Sequence, residues 1–172
     1  EILSGLVGSE MCKETANDNN INGNFKVITQ YLKDLSFESP GSPHSILQLN
    51  KNPQISLDID IALNKIENKE AATTEELYEV VLTIKSSAKG EENQSILFHV
   101  ELQYGGVFLL SNIPSEHVRP LLAIEAPHLL FPFARQILCE ATRNGGFPPL
   151  LLDPVDFAGL YYSNIEKTAG NA

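Results

Sequence analysis

Apolar and polar residues alternate with a period of two along four stretches of the chain, and the spacing then changes to that of helices. The cleanest alternation sets Ile55, Leu57, Ile59, Ile61 and Leu63 against Gln54, Ser56, Asp58, Asp60 and Ala62, which predicts a half-buried strand with one wet face. Upstream, Phe25, Val27, Thr29 and Tyr31 alternate with Lys26, Ile28, Gln30 and Leu32. That strand is apolar on both sides at its far end, and a Ser-Pro-Gly-Ser-Pro run from Ser39 to Pro43 breaks it. Tyr78, Val80, Leu82 and Ile84 form a third run, closed by residues Ser86 to Gly90; Ile96, Phe98, Val100, Leu102 and Tyr104 form a fourth, closed by Gly105 and Gly106. Short connections and one-sided wetting favour antiparallel pairing over a buried parallel sheet.

After Ser111 the spacing is helical. Pro114 opens a short segment through Glu125, and Leu129–Thr142 reads as a second, longer helix with Leu130, Phe133, Ile137 and Leu138 on one stripe. Pro132 falls in the first turn of that helix, where a missing N–H costs little, and Asn144, Gly145 and Gly146 stop it. Phe147-Pro148-Pro149 cannot be helical. Asp153 then reads as an N-cap with Pro154 at the first helical position, ahead of a final helix carrying Val155, Leu160, Tyr161 and Ile165. Four strands followed by helices make an α+β fold: a four-stranded antiparallel sheet with C-terminal helices packed on it. The domain reading is a disordered polar tail over 1–23, a folded domain over 24–165 and a flexible C-terminal tail over 166–172. Met11 is the one methionine, so it is the expected natural start, with Glu1–Glu10 upstream of it.

Composition narrows the function. The 172 residues, 42% of them apolar, suffice for one domain with a real core. Twelve basic against 22 acidic residues give a net charge of −10, with Arg119, Arg135 and Arg143 as the only arginines. Phosphate backbones and anionic membrane surfaces repel such a chain, so nucleic acid is not an expected partner. No apolar run approaches the roughly 20 residues that span a bilayer, so membrane insertion is not expected either. Cys12 in the polar tail and Cys139 on a helical pattern make no disulfide framework and suit a reducing compartment.

Candidate chemistry is sparse. His44, His99, His117 and His128 lack metal-ligand spacing with one another or with the cysteines, and no metal or cofactor is implied. Nucleophile elbow, HExxH and Walker loop are all absent, and the two Gly-Gly pairs read as turns. Asp58 and Asp60 share one strand face and mimic an acid pair, although the wet side of a strand has the same look. Asp34, Glu38 and Glu101 lie toward strand ends, where they make either plain surface charge or an acidic docking patch. Ile28 and Leu97 put apolar groups on otherwise wet faces. Residues from Phe131 to Phe157, with Phe133, Phe147 and the neighbouring prolines, mix aromatics with irregular backbone, as core or as a groove for a partner.

Five stretches resemble the SecB protein-export chaperone family: Gln30–Pro40 (QYLKDLSFESP), Tyr78–Leu82 (YEVVL), Gly105–Phe108 (GGVF), Leu129–Arg135 (LLFPFAR) and Gly146–Phe157 (GFPPLLLDPVDF). They span about Phe25 to Tyr162, and the last two are long and specific. The resemblance implies a cytoplasmic homotetramer, a dimer of dimers, acting as a holdase. It would keep preproteins unfolded and deliver them to the SecA ATPase, without catalysis of its own. The family's SecA-docking face maps onto Asp34, Glu38 and Glu101, with His99 where an aliphatic residue is expected. Its tetramer contacts map onto the strand around Val100, Leu102 and Tyr104.

Physical chemistry suits such a role. Apolar grooves bind without fixed sequence, and a negative chaperone captures basic segments quickly. Phe133, Phe147 and Leu151 are the expected groove or groove-supporting residues. A different class of function, a small-ligand-binding or enzymatic α+β domain using the apolar pocket with Asp58, Asp60 or His128, predicts a monomer or dimer and a saturable small ligand.

Overall fold

A computed structural model describes residues 23–47, 53–67, 75–90 and 95–169. The four alternating stretches become β1 (Asn24–Glu38), β2 (Gln54–Ile66), β3 (Glu75–Lys89) and β4 (Ile96–Ser111). They form one antiparallel sheet in the order β1-β4-β3-β2, so β1 and β2 are its edges. A single helical turn, α1 (His44–Leu47), follows the Ser-Pro break after β1. The helices α2 (Ser115–Asn144) and α3 (Phe157–Ala169) complete the fold. The expected disorder of the N-terminal tail, and the place of Met11 and Glu1–Glu10, concern residues outside those described.

Even-numbered residues of β4, from Phe98 to Leu110, point to one face with Val80, Leu82 and Ile84 of β3, and α2 covers them. The opposite face is the wet one. β2 pairs with β3 in unbroken register, from Gln54 opposite Lys89 to Ile66 opposite Leu77. β1 does not: Ile28 and Lys33 are each an extra residue against β4, and each reverses which residues of β1 face the helices. This explains Ile28, whose apolar side chain stands half exposed at the first bulge.

Two helical expectations need correction. The segments Pro114–Glu125 and Leu129–Thr142 are one 30-residue helix, with Pro120, Pro127 and Pro132 inside it. An interior proline costs ~3 kcal/mol through its missing hydrogen bond and ring clash. Against that, Leu122, Leu130, Phe131 and Leu138 are buried on the sheet side, each worth ~1.5–3 kcal/mol, and Ala126 and Ala134 continue the same stripe at four-residue spacing. Packing on the sheet keeps the helix continuous. The last helix starts later than expected, and its cap is not Asp153. Asp156 caps it: Oδ1 accepts the Gly159 N–H at 2.9 Å and the backbone carbonyl accepts the Leu160 N–H. Phe157, fully buried against Phe131 and His128, fixes where the helix begins. At its other end α3 takes in 166–169, which the sequence reading leaves to a flexible tail.

Candidate functional site

The bulge at Lys33 sets the composition of the outer sheet face. Beyond it, Asp34 lies opposite Gln103, Ser36 opposite Glu101 and Glu38 opposite His99. Residues opposite one another in a ladder point the same way, so Asp34, Glu38 and Glu101 share the face turned away from α2, and His99 joins them beside Glu38. The rows continue across the sheet. Glu101 is followed by Lys85 and Asp58, and Gln103 by Thr83 and Asp60. Lys85 Nζ lies 2.9 Å from Glu101 Oε1, an ion pair that composition did not reveal. Asp58 and Asp60 stand at the opposite edge of the sheet from Asp34 and Glu38, with two strands between, on the solvated side of edge strand β2.

A second polar group on this face escaped the sequence reading. Glu79 of β3 accepts hydrogen bonds from Lys33 Nζ at 2.7 Å, from the Tyr31 hydroxyl and from Asn64 Nδ2 at 3.0 Å. Lys33 beside it, with Tyr31 and Asn64, holds the Glu79 carboxyl down at about 2. Burial, and then the bond to Glu79, pushes the Tyr31 phenol up to about 12. The Tyr31 ring crosses β4 over Gly105, where an added Cβ would come within 2.8 Å of the ring. Glycine at 105 is therefore a packing requirement rather than only the turn signal that the sequence suggests, and β4 runs straight through it.

On the helix side, the candidate groove residues separate. Phe133 is 49% exposed, with its ring stacked on Tyr104 at 6.2 Å and 20°. Leu129 one turn back, and Leu32 and Leu35 of β1 opposite Tyr104 and Leu102, extend an uncovered apolar strip. Leu151 is 67% exposed in the extended segment after α2. Phe147, by contrast, is 4% exposed in an aromatic cluster with Phe37 and Phe98, so it supports the surface from within. Leu150 N–H bonds to the buried Thr142 hydroxyl at 2.9 Å, which ties this segment to the end of α2. A further apolar strip lies on the inner side of β2, where Ile55 and Leu57 are half exposed.

The residues expected at a subunit interface are already covered within the chain. Val100 and Leu102 are fully buried and Tyr104 is 9% exposed, so these side chains are packed inside the subunit. A 410 Å³ cleft opens at the start of α2, lined in part by Phe25, Ile113, Pro114, His117, Leu121 and Ile124. Asp58, Asp60 and His128 do not line this cleft. His128 instead bonds the Ile124 carbonyl through Nδ1 at 2.9 Å and meets Phe157 edge-on. Among the described residues no group of His, Cys, Asp and Glu is arranged to hold a metal ion, and no helix is long and apolar enough to cross a membrane.

Comparison with known proteins agrees with this architecture. The chain is 48% identical over 162 residues to the protein-export protein SecB of Bartonella quintana, covering 94% of this chain and 97% of that one. It is 50% identical over 141 residues to the protein-export protein SecB of Mesorhizobium japonicum, covering 82% and 79% of the two chains. In fold it is similar to the SecB-like chaperone of Mycobacterium tuberculosis, solved in complex with a ChAD peptide from an antitoxin: TM-score 0.58 at 12% identity, covering 76% of this chain and 90% of that one. The family model described as preprotein translocase subunit SecB matches residues 18–168, and the chain belongs to the SecB family, with a chaperone role in protein export.

Proposed function

We propose that the protein is a holdase that binds unfolded preproteins, keeps them competent for translocation and passes them to the SecA ATPase, with no catalysis of its own. It works in the cytoplasm as a homotetramer, a dimer of dimers, and residues 24–165 are the unit that does so. One observation carries this reading: the two faces of one sheet have different chemistry. The outer face presents Asp34, Glu38 and Glu101, while the helix side leaves Phe133, Leu129, Leu32 and Leu35 uncovered. Apolar surface left open beside a packed core takes extended chain by non-directional burial, at about 25 cal/mol per Å² before the entropy of ordering the client. The peptide held by the mycobacterial neighbour is a precedent for a peptide ligand on this fold.

In this scheme the tetramer contact is placed on the strand around Val100, Leu102 and Tyr104, whose own side chains pack inside the subunit. The outer face serves the partner. Exposed ion pairs are worth ~0.2–1 kcal/mol each, so docking needs several together and reads out mainly in association rate and salt dependence. The test joins three measurements. Light scattering should give a tetramer, the protein should suppress aggregation of an unfolded client, and the triple variant Asp34→Asn, Glu38→Gln, Glu101→Gln should bind SecA more weakly with a shallower salt slope. A monomer that fails to hold any unfolded chain would overturn the reading.

A further inference from the structure

Resting on the docking role of the outer face, we propose that Lys33 and Glu79 are positioning residues for it: their pairing fixes the bulge that turns Asp34 and Glu38 to the side of Glu101. Between the two bulges, the even-numbered residues of β1 face the helices, with Gln30 opposite Gly106 and Leu32 opposite Tyr104. After it the odd-numbered ones do, with Leu35 opposite Leu102 and Phe37 opposite Val100. Without the inserted residue, Asp34 and Glu38 would point at α2, and Leu35 and Phe37 at solvent. The bulge is held on both sides. Inward, Phe37 stacks on Phe98 at 5.8 Å. Outward, the inserted residue itself, Lys33, is anchored to Glu79 at 2.7 Å, and Tyr31 reaches the same carboxylate across Gly105. Asn64 completes the group from β2, so one carboxylate ties both edge strands together. Glu79 acts at a distance: its row crosses β4 at Val107, and Asp34's crosses at Gln103, about 13 Å along the strand.

Charge and position make opposite predictions for Lys33. Removing its positive charge leaves the face more acidic, which by electrostatics alone tightens binding to a basic partner. Loss of positioning weakens it. Binding of purified SecA to the 172-residue chain is therefore measured for Lys33→Met, Lys33→Arg, Glu79→Gln, the double variant (Lys33→Met, Glu79→Gln) and the triple carboxylate variant, with client holding and thermal midpoint as controls. Lys33→Met and Glu79→Gln should each weaken binding by about three- to tenfold, and the double variant should lose little more than either single, since the two act as one unit. Lys33→Arg should restore native affinity. Tighter or unchanged binding by Lys33→Met, while the triple variant is weakened, overturns the positioning role and leaves the docking reading intact. An unaffected triple variant overturns the docking reading. In either case, amide exchange at residues 33–35 that does not speed up in Lys33→Met shows that the pair does not hold the bulge.

Discussion

Phe133 and Phe147 lie fourteen positions apart and look alike in sequence, yet they do different work. Phe147 is 4% exposed between Phe37 and Phe98, so Phe147→Ser leaves a cavity and a buried hydroxyl, which costs about 3–5 kcal/mol and lowers client holding by unfolding the chain. Phe133 rests on Tyr104 with half its surface open, so Phe133→Ser should keep the thermal midpoint close to native while client affinity falls. Calorimetry and an aggregation assay on both variants separate the two, and equal loss of stability would remove Phe133 from the binding surface. Glu79 gives a second residue-level expectation. Its carboxyl, ordinarily near 4.5, stays ionised down to about 2 in the folded chain, so the unfolded chain takes up a proton first. The stability it contributes is complete above pH ~4.5 and drains away as pH falls toward ~2. Urea midpoints across that window should fall more steeply for the native chain than for Glu79→Gln. Tyr31 acts at the other end: its contribution is intact below pH ~10 and is lost as pH rises toward about 12.

At the scale of elements, the four strands were legible because a period of two with one wet face is a local property that burial preserves. β2 shows it most fully, with all of Ile55, Leu57, Ile59, Ile61 and Leu63 on the helix side. The bulges of β1 were not legible. One extra residue at Ile28 or Lys33 changes no composition; only the partner strand shows that Asp34 lies opposite Gln103. Asp34, Glu38 and Glu101 can be grouped from the sequence by their places toward strand ends and by a resemblance, while the Lys33–Glu79 pair is hidden there because its members are 46 residues apart. The helices failed in a different way. Proline and aspartate are strong local stop and start signals, but Pro120, Pro127 and Pro132 were overruled by a stripe buried on the sheet, and Asp153 lost the cap to Asp156 because Phe157 needed the core.

For the molecule as a whole, the separation of chemistry between faces matters more than any single group. The sheet is thin enough that one layer serves both surfaces, so in the proposed scheme a client on the helix side and a partner on the outer side need not compete for residues. Within the candidate groove, Phe133 and Leu151 are open and Phe147 is core, a distinction that depends on how α2 and the following segment fold back. Sequence gives residue type and spacing but not which side of a helix the sheet will claim.

The unbroken register of β2 has a colloidal consequence. A 13-residue edge strand without bulge or proline, apolar on one side, offers its free backbone to any other copy that drifts alongside. The carboxylates Asp58 and Asp60 punctuate its other side, and in an antiparallel pair of such edges they would meet their own kind. Such repulsion between like charges is expected to keep two copies of this edge apart. The double variant Asp58→Asn, Asp60→Asn should precipitate at lower protein concentration than the native chain, and added salt should narrow the difference by screening the native repulsion. Turbidity against concentration at low and high ionic strength measures both effects, and coincident curves would mean that β2 is kept apart by something other than charge.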